Sequence, residues 1–169
     1  MDTATRQQPH EAHPPARSTE LLVDGQSFLI AHNHIHSVER IVDVRMETGH
    51  EPAMGTLRLG MDEWPVFCLD RDLNILGKLP AARHACVLLK SEYGGVGVLC
   101  DEARVLDNTT LTIVPIPGCM SDELSLTETL AIIDGKITCM LGAERLSVML
   151  RSSVSDDGVQ APVLPAGMP

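Results

Sequence analysis

The sequence predicts a mostly β fold, a barrel or a sandwich, with only short helices. Three observations predict it. Runs rich in Val, Ile and Leu recur in pairs, and each pair is split by residues that suit a tight turn. Several runs, Val87-Leu88-Leu89 and the stretch from Val96 to Cys100 among them, lack polar alternation, as strands covered on both faces do. Aromatic residues make up only 2% of a chain that is 44% hydrophobic, so the core is expected to be built from Val, Leu, Ile, Met and Ala.

Four pairs of runs are read as hairpins. Residues 20–23 and 27–31 flank Asp24-Gly25-Gln26, where the glycine can take a positive φ. Residues 55–59 and 64–69 flank Gly60-Met61-Asp62-Glu63, and residues 85–90 and 95–101 flank Ser91-Glu92-Tyr93-Gly94. Residues 130–133 and 137–141 flank Asp134-Gly135-Lys136, the cleanest turn of the four. Three short helices are expected. Over 35–41, Ile35, Val38 and Ile41 share one side, which leaves Glu39 and Arg40 toward solvent. Over 70–76 an acidic start, Asp70 and Asp72, is followed by a stop at Gly77, and over 143–150 Leu146 and Leu150 are spaced i, i+4. Pro115 and Pro117 punctuate a connector between 107 and 125.

A chain of 169 residues has room for one domain. It is placed at 20–151, between tails at 1–19 and 152–169 whose Pro, Gln, Ser, Asp and Gly content predicts disorder. A net charge of −10 and few stacking side chains speak against nucleic acid as a partner. No run suits a signal peptide or a membrane span, so the expected location is the cytoplasm, without membrane insertion. Cys68, Cys86, Cys100, Cys119 and Cys139 are odd in number and sit mostly in apolar stretches, which reads as buried free thiols.

Residues with catalytic or ligand chemistry are sparse. His32, His34 and His36 would share one face of a strand and converge on a metal such as Zn or Ni. At a strand-to-helix junction they would instead point apart. Asp70 with Asp72, and Asp101 with Glu102, are acidic pairs of a kind that does general acid–base work, but helix starts and turns carry the same pairs. The 91–95 stretch has no phosphate-loop Lys, and no nucleophile elbow occurs. No enzyme activity and no cofactor are expected. Trp64, the lone Trp, is either core or an anchor on a partner surface.

Four stretches carry a family resemblance. They are Ala31 to Ile41, Gly55 to Leu69 with its Gly-to-Pro65 spacing, Val96-Gly97-Val98-Leu99-Cys100-Asp101-Glu102-Ala103-Arg104-Val105-Leu106, and Leu130 to Leu141 before the last helix. In this order they resemble the CheW-like family, the chemotaxis coupling proteins and the regulatory domains of their histidine kinases. The resemblance covers about 20 to 150. It implies two small five-stranded antiparallel β-barrels around a shared apolar core, with short helices. It further implies a non-enzymatic adaptor in a chemosensory system of chemotaxis or twitching and surface motility. The partners implied are a histidine kinase regulatory domain, a methyl-accepting receptor or another CheW-like adaptor.

The chain departs from the family where Arg58-Leu59-Gly60-Met61 stands in place of the usual Asn-Leu-Arg-Gly, and where Cys68 replaces an acidic residue. A divergent member is therefore implied, with Val38, Glu39, Arg58, Leu59, Met61 and Trp64 as its candidate partner-binding residues. The alternative is a metal-responsive regulator using His32, His34 and His36.

Overall fold

Two Asp-Gly turns set the geometry of the first sheet. β1 (Arg17–Val23) folds back on β2 (Gln26–Ala31) through Asp24 and Gly25, whose φ values are 49° and 78°. Asp134 and Gly135, at 48° and 76°, do the same between β11 (Thr127–Ile133) and β12 (Lys136–Leu141). Paired positive φ values give a turn whose twist matches that of the flanking strands, and Asp-Gly tolerates them best. The structure is a computed structural model that describes residues 17–47, 52–107, 109, 111–118 and 125–155.

The remaining strands are β3 (Ile35–Arg40), β4 (Arg45–Met46), β5 (Gly55–Leu59), β6 (Asp62–Cys68), β7 (Ala85–Leu89), β8 (Val96–Cys100), β9 (Glu102–Asp107) and β10 (Thr112–Val114). They form two six-stranded sheets, ordered β10-β11-β12-β2-β1-β9 and β3-β7-β8-β6-β5-β4. Pairing is antiparallel except for β12 with β2 and β6 with β8. Both sheets curl into small barrels. The count of six, where five was expected, includes the two-residue β4 and the three-residue β10.

The unbroken apolar runs follow from what lies on each side of the strands. Phe67, Leu69, Val87, Leu89, Val96, Val98 and Cys100 point toward the first sheet. There they meet Leu21, Val23, Phe28 and Ile30 in one core shared by both barrels. Their neighbours in sequence, Val66, Cys68, Cys86, Leu88 and Leu99, point the other way and fill the second barrel with Val44 and Leu57. The first barrel is lined by Leu29, Ala131 and Met140. With both faces covered, alternation with polar residues would strand unpaired groups in an apolar interior. Among the described residues one α-helix, α1 (Ala143–Ser155), closes the shared core with Ala143, Leu146 and Leu150. Each such buried leucine contributes about 1.5–3 kcal/mol.

Two expected helices are absent. Residues 35–40 are β3, paired with β7 through Val38 opposite Val87 and Glu39 opposite Cys86. A bulge between Ile35 and Ser37 gives these residues their helix-like spacing. β-branched Ile35 and Val38 suit a strand, and the available partner strand decides the outcome. Residues 70–76 form a loop, because the Asp70 carboxylate accepts the amides of Asp72 and Asn74 and so competes with helical bonding. Leu73 takes a φ of 64° there, and Leu69 bridges Ile75. The last helix is present and extends past 150 to Ser155.

β1 begins at Arg17, ahead of the expected boundary at 20, and pairs along its free edge with β9, which is not among the strands expected from sequence. The rest of both expected tails, 1–16 and 156–169, lies outside the described residues. Cys68, Cys86 and Cys100 are buried free thiols and Cys139 is half-buried, while Cys119 lies outside the described residues. Burial pushes the thiols of Cys86 and Cys100 up to about 12.

Candidate partner-binding face

The β5–β6 hairpin turns at Gly60 and Met61, with Gly60 at a φ of 61°. This two-residue turn pushes the Met61 side chain into solvent, where it is 91% exposed. Arg58 sits opposite Glu63 on the outward side and is exposed. Leu59 and Trp64 belong to the other side of the hairpin. Leu57 faces Trp64 across the ladder, and all three pack against the second barrel's interior.

Trp64 is therefore a core residue with one edge outside. Its indole lies against Gly95, where any Cβ would fall within the ring, so only glycine admits it. The His36 ring covers it at a centroid distance of 5.0 Å with a tilt of 34°. The indole nitrogen is buried without a hydrogen-bond partner.

On β3 the pairing with β7 separates the two remaining candidates. Val38 pairs with Val87 and is 44% exposed. Glu39 pairs with Cys86, whose side chain lines the second barrel, and is half-buried. The exposed members of the candidate set are thus Val38, Arg58 and Met61. Glu39, Leu59 and Trp64 stand at or behind the surface.

The three imidazoles do not converge. His32 Nδ1 lies 2.8 Å from the Thr19 hydroxyl, and the His34 carbonyl accepts the Lys90 amide at 2.8 Å. His36 lies on Trp64. Among the described residues no group of three His, Cys, Asp or Glu side chains is placed to hold a metal ion. One carboxylate of each acidic pair is engaged in holding the fold. Asp70 serves its own loop, and the Asp101 carboxylate accepts from Arg83 and from the Asp24 amide.

Arg83 was not singled out by sequence. It is 2% exposed, and its guanidinium donates to Asp24 at 2.9 Å, to Asp101, and to the Leu69 carbonyl at 2.8 Å. The cluster ties the first hairpin turn, the β8–β9 junction and the end of β6 into one buckle between the sheets. Burial works against the guanidinium charge, but the hydrogen bonds it donates to Asp24 and Asp101 outweigh it and raise its pKa. In return, the Arg83 hydrogen bond holds the Asp24 carboxyl below its ordinary value. The partners lie 59 and 18 positions away, so no local pattern announces them.

A second polar group lies on β1. Burial pushes the Glu20 carboxyl up, but hydrogen bonds from Arg104 and Ser27 prevail and leave its pKa lowered. Glu20 and Arg104 line a shallow cleft with Leu22 and Glu102.

No protein-family model and no curated protein sequence matches the chain. Among solved structures, the chain is similar to the scaffolding protein TtCheW from Thermoanaerobacter tengcongensis. The TM-score is 0.61 at 17% identity, over 78% of this chain and 92% of that one. No helix of the described residues is long and apolar enough to cross a membrane. Two curled sheets around a shared core, closed by one helix and matched over nearly the whole length of a CheW structure, give this chain a divergent form of the CheW-like fold.

Proposed function

We propose that the protein is a non-enzymatic adaptor of a bacterial chemosensory system, acting in the cytoplasm. It joins a histidine kinase regulatory domain to a methyl-accepting receptor or to another CheW-like adaptor. The observation that carries this reading is the fold, which matches a scaffolding protein over 92% of that chain. The presentation of Met61 at a rigid hairpin tip supports it, since an exposed flexible thioether flanked by an anchored Trp suits a protein surface.

In this reading Val38, Arg58 and Met61 make contact, while Leu59 and Trp64 hold the hairpin from behind and Glu39 borders the face. A net charge of −10 favours a basic patch on the partner and speeds encounter at low salt. Replacement of the family's Asn-Leu-Arg-Gly by Arg58-Leu59-Gly60-Met61 fits a pathway-specific partner, such as one controlling twitching or surface motility. The test is a pull-down of the full chain with the regulatory domain of the cognate kinase and with a cytoplasmic receptor fragment. Retention of at least one is expected; retention of neither removes the reading.

A further inference from the structure

Trp64 is the joint through which the last helix reaches the contact hairpin. Glu144 and Arg151 are two turns apart on one side of α1, a separation of about 10 Å. Both grip the turn between β7 and β8. The Glu144 carboxylate accepts the Ser91 hydroxyl at 2.7 Å and the Glu92 amide at 3.2 Å. The Arg151 guanidinium donates to the Gly94 carbonyl at 3.0 Å and to the Gly95 carbonyl at 2.7 Å. Charge-assisted bonds from both ends of a two-turn helical segment fix that turn in position.

Gly95 is the residue against which the Trp64 indole lies, with no space for even a methyl group between them. Trp64 in turn stands on the β5–β6 hairpin, opposite Leu57 and close to the Gly60-Met61 tip. The turn therefore cannot move toward the indole, nor the indole toward the turn, without displacing the other. We propose that Arg151 and Glu144 are positioning residues: α1 holds the β7–β8 turn, and the turn sets the seating of Trp64 and of the contact hairpin. Loosening α1 from the turn alters the contact face without touching it. The hairpin's role as a contact rests on the adaptor reading; the seating of Trp64 does not.

The chain has one Trp, so emission excited at the red edge of the absorption band, where Tyr93 does not absorb, reports on Trp64 alone. In the full-length Arg151→Met variant, emission shifts to the red and acrylamide quenches it more strongly, while the far-UV spectrum and cooperative melting persist. Arg151→Lys, which keeps a cationic donor, recovers part of the shift. Should Arg151→Met fail to fold, Ser91→Ala removes the hydroxyl bond to Glu144, leaves only the Glu92 amide bond, and gives a smaller shift in the same direction. Wild-type emission and quenching in a folded Arg151→Met protein, or in Ser91→Ala, overturn the proposal. Kinase-domain retention is measured separately. If the wild-type chain retains no partner while the variants still move the Trp64 signal, the adaptor reading fails and the coupling is upheld.

Discussion

Arg83 ties the two sheets together through Asp24, Asp101 and the Leu69 carbonyl. A buried cation facing two carboxylates is not in itself a large net stabiliser, because its desolvation offsets much of the attraction. Its removal is another matter, since Asp24 and Asp101 would then stand partly buried and uncompensated. Arg83→Met should therefore cost about 3 kcal/mol, read as a lower urea midpoint.

The same carboxylates give a direction to the pH dependence. Asp24 and Glu20 both have folded-state values below their ordinary 3.8 and 4.5. Such groups add stability that is fully present above those values and is lost as pH falls through the depressed folded ones. The melting temperature should thus be flat through neutral pH and fall below about pH 4. In Arg83→Met the part of that acid loss owed to Asp24 should shrink. An equal acid loss in wild type and variant would remove Arg83 as its cause.

At the scale of elements, the turns and the last helix were legible, and the two other expected helices were not. Asp24-Gly25 and Asp134-Gly135 announce positive φ by residue type, and the structure places both there. Gly135→Ala should destabilise the β11–β12 hairpin by about 1 kcal/mol, read by urea titration, because its φ of 76° is costly for any residue with a Cβ. Residues 35–41 misled because a bulge in a strand and a turn of helix produce the same short apolar spacing. Residues 70–76 misled because an Asp at a helix start and an Asp that folds its own loop look alike in sequence.

The candidate face was legible only in part. The Gly60-Met61 tip could be placed from its turn residues. That Leu59 and Trp64 face inward depended on a strand boundary two residues earlier than read, at Asp62. The buckle at Arg83 and the grip of Arg151 were invisible, because their partners are distant in sequence. Met61→Asp should leave the melting temperature nearly unchanged, as exposed substitutions do, while reducing partner retention. Retention equal to wild type would move the contact elsewhere on the barrel.

At the scale of the molecule, the architecture explains why so aliphatic a sequence yields a single arrangement. Three apolar clusters are separated by β2, β6, β7, β8 and β12, each of which serves two of them, so a one-residue register slip in any of these would exchange the contents of a barrel and the shared core. Such a body offers rigid outer faces on both barrels, and rigidity lowers the entropic cost of binding two partners at once. Simultaneous binding is the central claim of the adaptor reading. Sedimentation velocity of the full chain mixed with the kinase regulatory domain and a cytoplasmic receptor fragment tests it most directly. The account predicts a species heavier than either binary complex, containing all three components; mutual displacement of the two partners, or binding of neither, would contradict it.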